Sequence, residues 1–123
     1  MVQRCKNGQH DEHDVYAALC PCRDVLEVLA GKWSALTIGA LEAGPKRFTA
    51  LQQRLDGVSP KVLTRTLRRL EDYGFISRTV YPTVPARVEY ELTELGRGAA
   101  RPLAELRAWV ETNVDGIRSE AAS

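Results

Sequence analysis

The chain has 123 residues, 44% of them hydrophobic and 27% charged, with a net charge of +1. That length supports one domain of ordinary size and not two. The most apolar stretch, Ala35–Leu41, is too short to span a bilayer, no apolar signal core opens the chain, and an odd number of cysteines fits poorly with a secreted disulfide scaffold, so a soluble cytoplasmic protein is expected.

Residues 1–14 are polar and aperiodic and read as a flexible tail. From Val15 to Ala30 the apolar residues Val25, Leu26, Val28 and Leu29 fit one or two short helices, with Pro21 near a helix start and Gly31 as the break. Trp33 to Ala43 reads as an apolar helix stopped by Gly44-Pro45. Thr49 and Gln52 form a capping-box pair for a short helix over Ala50–Asp56, closed by Gly57. Ser59 is a good N-cap and Pro60 suits the first helical position of a third helix, which runs to Tyr73 and is closed by Gly74.

Val88 to Leu92 alternates apolar and acidic side chains, as a half-buried strand does, and Ile76 to Tyr81 is its antiparallel partner. Pro82 and Pro85 belong to the connecting loop. Thr93 caps a last helix with Leu103, Leu106, Trp109 and Val110 along one side, which Pro102 is expected to kink or split. Residues 115–123 are expected to fray, which leaves 15–114 as the folded part.

A short helix, a tight Asp56–Ser59 turn, a longer basic helix and a hairpin make a helix-turn-helix followed by a wing. The fold class expected is mainly α with a small β-hairpin: a winged helix-turn-helix with extra N- and C-terminal dimerisation helices. The apolar stripe around Trp109 exceeds what so small a core needs, which points to a homodimer, although Trp109 packed within its own subunit is the plainer alternative.

Charge is unevenly distributed. Residues 1–43 carry a net −2 and residues 71–123 a net −3, whereas residues 44–70 carry a net +6 from Lys46, Arg47, Arg54, Lys61, Arg65, Arg68 and Arg69 against Asp56. A basic middle between acidic ends suggests a localised polyanion-binding face, although a solvated charged helix would look similar. Geometry separates the two. At about 100° per residue, Thr64, Arg65 and Arg68 fall within about 60° of Lys61 and Arg69 near 80°, while Leu63, Thr66, Leu67 and Leu70 lie opposite. One face is buried and the other offers cations and a hydroxyl to a major groove. Ser59 and the first amides of the helix suit a phosphate, Lys46 and Arg47 add backbone contacts, and Arg87 at the wing reaches a minor groove or a phosphate.

Little supports an enzyme. Gly31-Lys32-Trp33-Ser34 lacks the upstream glycine and the Lys-Ser/Thr adjacency of a phosphate loop, and both histidines lie in the polar tail. A winged-helix interaction module without DNA would carry an uncharged third helix. No cofactor is expected.

The stretches "CP", "VLAGKW" and "GPKRFTALQQRLDGVSPKVLTRTLRRLEDYGFISRTVYPTVPARVEYELTELG" closely resemble HxlR-type bacterial transcriptional regulators, over about residues 20–114. The resemblance implies a winged helix-turn-helix homodimer on a roughly palindromic operator, joined through its N-terminal and last helices. It assigns Ser59, Lys61, Thr64, Arg65 and Arg68 to recognition-helix positions and Arg87 to the wing. It also implies thiol sensing, with the reactive cysteine the one before the proline, Cys20; Cys22 departs from the family's pattern.

For Cys20 and Cys22 the residues themselves leave three readings. A thiol near a helix N-terminus holds more thiolate, and Pro21 and Arg23 favour that placement for Cys20, so oxidation or an electrophile there would push on a dimer interface. A metal is a second reading, since Cys5, His10, His13, Cys20 and Cys22 form a loose set, but Cys-x-Cys is tighter than the usual zinc pair and no metal is expected. Inert packing is the third. A Cys20–Cys22 bridge would close a very small ring across a proline, so pairing between subunits or with Cys5 is the easier disulfide to expect. Control by a small-molecule ligand or a metal instead of thiol chemistry stays open.

Overall fold

The computed structural model describes residues 13–122, with side chains through residue 117. The chain runs through helices α1 (Pro21–Ala30), α2 (Lys32–Ala40), α3 (Phe48–Arg54) and α4 (Pro60–Asp72), strands β1 (Ile76–Tyr81) and β2 (Arg87–Leu92), and a long helix α5 (Glu94–Ala122). This is the expected architecture, a winged helix-turn-helix with flanking helices. Of the expected tail at 1–14, only His13 and Asp14 lie within the described residues.

Local chemistry sets most boundaries. Ser59 has extended backbone, and its Oγ accepts from the Val62 amide at 3.1 Å, satisfying one of the orphan donors of α4 while Pro60 occupies the first turn. At the other end Gly74 has φ +83°, a left-handed conformation that ends the helix and turns the chain into β1. The strands pair antiparallel from Ile76 opposite Leu92 to Tyr81 opposite Arg87, with residues 82–86 as the connection.

Several boundaries differ from the sequence reading. Helix α2 stops at Ala40, because Leu41 and Glu42 donate to the carbonyls three residues back and the last turn tightens. Helix α3 begins at Phe48, so Thr49 lies inside it and Arg47 takes the N-cap position without a side-chain cap. The reason is non-local: Lys46 exchanges both backbone hydrogen bonds with Tyr90 of β2, at 2.9 and 2.8 Å, which fixes where the chain can turn into the helix. Helix α5 passes through Pro102 as one helix and continues beyond residue 114 to Ala122. An internal proline costs about 3 kcal/mol, which packing of Ala100 and Leu103 against the core offsets.

The core draws on all of these pieces. Val28 of α1, Ile38 of α2, Leu51 of α3, Leu63, Leu67 and Leu70 of α4, Ile76 and Leu92 of the hairpin and Ala100 of α5 are buried together. Each fully buried leucine or isoleucine contributes roughly 1.5–3 kcal/mol over leaving it exposed. The hairpin is tied to the helices by Thr93, whose hydroxyl donates to the Gly74 carbonyl at 2.6 Å and accepts from the Gly96 amide at 3.0 Å. Helix α5 is fixed to the turn that follows α2 by an Arg107–Glu42 ion pair at 2.9 Å.

Candidate nucleic-acid interface and cysteine pair

Helix α4 divides as its sequence dictates. Leu63, Thr66, Leu67 and Leu70 are buried, and Lys61, Thr64, Arg65, Arg68 and Arg69 are exposed. The buried side locks the helix onto the core, so the cationic side projects from a rigid base, which is how a recognition element has to be held. Ser59 sits at the exposed start of the helix with its Oγ committed to the cap.

The other expected cations fall around this face in different ways. Lys46 is half-buried and held by its backbone beside Tyr90, and Arg47 is exposed at the start of α3. Arg87 begins β2 at the loop end of the hairpin, where its guanidinium lies 4.2 Å from the centre of the Tyr81 ring and its Nε 3.5 Å from Glu89 Oε2. The wing cation is thus partly engaged within the hairpin.

One cation the sequence reading passed over belongs with this group. Arg78 is exposed on β1, opposite Tyr90, and lines a groove of about 410 Å³ with Thr64, Leu67, Arg68, Glu71 and Tyr90. The groove joins α4 to the wing, so a backbone phosphate placed there would meet Arg68 and Arg78 together. Only the pairing of β1 with β2 and its packing against α4 brings the two arginines to one place: Arg78 lies two residues after buried Ile76, on the same strand face and opposite Tyr90, which turns it toward α4.

The residues expected at a dimer interface are divided. Leu103 packs against its own core, whereas Leu106, Trp109 and Val110 stand out from α5, with Trp109 56% exposed. Trp109 therefore does not pack inside its own subunit. Tyr16, Leu19 and Leu26, before and within α1, are also exposed apolar residues.

The cysteine pair lies at the start of α1. Cys20 is the N-cap residue, 2% exposed, and Cys22 is half-buried in the first turn. The two are paired with each other as a disulfide, where pairing between subunits or with Cys5 had been the easier one to expect. The helical backbone of Pro21 between them holds the two Cα atoms 5.4 Å apart, inside the range a disulfide spans. His13 joins them, with Nδ1 3.6 Å from Cys20 Sγ. The sequence placed this histidine in a tail; the turns at residues 15–19 fold it back onto α1.

No helix among the described residues is long and apolar enough to cross a membrane. Comparison with known proteins agrees with the geometry. The HxlR-like helix-turn-helix family matches residues 28–118. The chain is 38% identical to the uncharacterized HTH-type transcriptional regulator YtfH of Escherichia coli K12, across the full length of both. Among solved structures it is similar to the putative transcriptional regulator YtfH of Salmonella typhimurium, with a TM-score of 0.84 and 38% identity over 91% of this chain and all of that one. It is also similar to the redox regulator HypR in its oxidized form, with a TM-score of 0.71 and 36% identity over 76% of this chain and 97% of that one. The chain belongs to the HxlR-like helix-turn-helix family, as a transcriptional regulator built on a winged helix.

Proposed function

We propose that the chain binds a roughly two-fold symmetric DNA operator as a homodimer, and that the redox state of Cys20 and Cys22 sets its affinity. The observation that carries the DNA reading is α4 itself: an exposed row of Lys61, Thr64, Arg65, Arg68 and Arg69 backed by a fully buried apolar face. In a major groove the arginines fork to guanine edges or phosphates, and Thr64 offers a hydroxyl. The start of α4 beside Ser59, with Lys46 and Arg47, takes backbone phosphates. Arg78 and Arg87 place the wing on the backbone or in the minor groove.

A dimer suits this reading because one such unit reads only a short site, and two recognition helices about 34–36 Å apart meet successive turns of the duplex. The exposed Leu106, Trp109 and Val110 are the surface such a dimer would bury.

Thiol control rests on where the pair sits. Cys20 occupies the N-cap position of α1, and Val28 of that helix enters the core beside α2, so a change at its first turn is felt in the helices that frame α4. Disulfide formation takes two electrons and two protons from the two thiols and passes them to an oxidant; reduction by an external dithiol returns them. A relative described as a redox regulator supports the same chemistry here.

The test is fluorescence anisotropy at fixed salt with duplex DNA from upstream of the protein's own gene. Reduced wild type, wild type treated with diamide (which accepts the two electrons and two protons) and treated Cys20→Ser are compared. Oxidation is expected to shift affinity in wild type and not in Cys20→Ser. Equal affinity of reduced and oxidised wild type removes the thiol switch and leaves ligand control of the same DNA-binding unit.

A further inference from the structure

His13, Cys20 and Cys22 place one imidazole nitrogen and two sulfurs within 4.8 Å of one another. Disulfide exchange of the pair does not itself require a histidine nitrogen, whereas a metal centre uses one as a ligand. A tetrahedral zinc ion with Zn–S bonds of about 2.3 Å and Zn–N bonds of about 2.0–2.1 Å holds neighbouring ligand atoms roughly 3.5–3.8 Å apart. The 3.6 Å between His13 Nδ1 and Cys20 Sγ already matches one such edge. The donor set also points to the kind of ion. Two thiolates and an imidazole suit a borderline-soft d10 cation, and among the described residues the cluster contains no carboxylate of the sort that calcium or magnesium requires.

We propose that the reduced protein binds one Zn²⁺ through His13, Cys20 and Cys22, and that the zinc-bound and disulfide states are alternatives of the same cysteine pair. On binding, the two thiols lose two protons to solvent, neutral His13 donates a nitrogen lone pair, and the fourth position is left to water. In the disulfide each sulfur commits its thiolate electron pair to the S–S bond or its oxidant, so the metal has no thiolates to hold it. Zinc would tie the turns at residues 15–19 to the first turn of α1 through His13, and oxidation would release that tie. Burial of Cys20 and partial burial of Cys22 keep the two sulfurs out of bulk water, while exposed His13 is able to adjust. The inference does not require α4 to bind DNA, so it stands or falls independently of the operator reading.

The experiment uses the full chain carrying Cys5→Ser, reduced and handled without oxygen, so that Cys20 and Cys22 are the only thiols. Co²⁺ is the spectroscopic probe. One equivalent is expected to produce tetrahedral d–d bands and a thiolate-to-cobalt charge-transfer band, both abolished when Zn²⁺ displaces it. His13→Ala is expected to weaken binding by more than about 100-fold, since loss even of a residue that only supports a ligand costs roughly 10–100-fold. Cys22→Ser, at a half-buried position that tolerates the change better than Cys20, is expected to lose the tetrahedral signal, and diamide-treated protein to show none. Circular dichroism checks that both variants stay folded. Failure of the reduced protein to bind one equivalent, or an undiminished tetrahedral signal in folded His13→Ala or Cys22→Ser, overturns the proposal.

Discussion

Ser59 Oγ accepts a hydrogen bond from the Val62 amide at 3.1 Å, and that bond sets the first turn of the helix that carries the cationic face. Replacing Ser59 with alanine removes the acceptor and is expected to cost about 1 kcal/mol of stability. Ser59→Asp keeps an acceptor and an anion that suits a helix N-terminus, so its thermal midpoint stays near wild type. The same carboxylate would face phosphate, and DNA affinity is expected to fall. Thermal unfolding and anisotropy on both variants separate the cap from the interface. Unchanged DNA binding by Ser59→Asp would place the start of α4 away from the duplex.

Arg78 and Arg68 line one groove from two elements, strand β1 and helix α4. Arg78→Ala is expected to weaken DNA binding across all sequences and to reduce the slope of log affinity against log salt by about 1, as removal of a phosphate-binding cation does. Its unfolding midpoint should not move, because the side chain is exposed. A specificity change without a change in salt slope would mean that Arg78 reads a base instead.

Gly96 lies so close to the base of the hairpin that an added Cβ would overlap the Phe75 carbonyl oxygen, just before β1, and come within 3.2 Å of Leu92 Cδ2. Backbone cannot step aside as a flexible side chain can. Gly96→Ala is expected to cost roughly 2–3 kcal/mol, typical of overpacking, and to lower the urea midpoint. Gly98→Ala is the control. Nothing lies within 4 Å of a Cβ there, and the exchange in a helix interior should stabilise by roughly 0.5–1 kcal/mol. Equal midpoints for the two variants would contradict the close approach of α5 to the hairpin.

The parts legible in the sequence are those governed by short-range chemistry. Ser59-Pro60 and Gly74 mark the ends of α4, and its 3.6-residue period separates Leu63, Leu67 and Leu70 from Lys61, Arg65 and Arg68. Alternation in Val88–Leu92 marks β2. What the sequence hid depends on partners distant along the chain or in space. Thr49 looked like a cap because the pairing of Lys46 with Tyr90 is invisible locally, and Pro102 looked like a break because the packing of Ala100 and Leu103 is too. The Cys20–Cys22 pairing turned on the helical backbone of Pro21 between them, which spacing alone does not give. His13 joined the cysteines through turns that carry no hydrophobic period.

Trp109, 56% exposed, stands beside exposed Leu106 and Val110 on α5. Trp109→Glu is expected to leave helix content unchanged, since the residue is not part of the subunit core, and to shift the protein from dimer to monomer in sedimentation velocity. DNA affinity should fall with it, because a monomer engages one half-site. A dimer that persists in Trp109→Glu would move the interface elsewhere, with the exposed Tyr16, Leu19 and Leu26 as the next surface to test.

Whether the cationic face of α4 meets DNA is decided by the salt dependence of binding in wild type and in Arg65→Ala with Arg68→Ala. Both side chains are exposed, so the double variant should fold as wild type does. Anisotropy across a series of salt concentrations is expected to give a steep slope for wild type. In the double variant affinity should fall sharply. Where both arginines meet phosphate, the slope should also be shallower by roughly 2 for each subunit bound, at about 0.9 for each phosphate no longer neutralised. Weaker binding with an unchanged slope would assign the two arginines to base edges. Wild-type affinity and slope in the folded double variant would contradict DNA binding through α4 and send the search for the interface to another face of the protein.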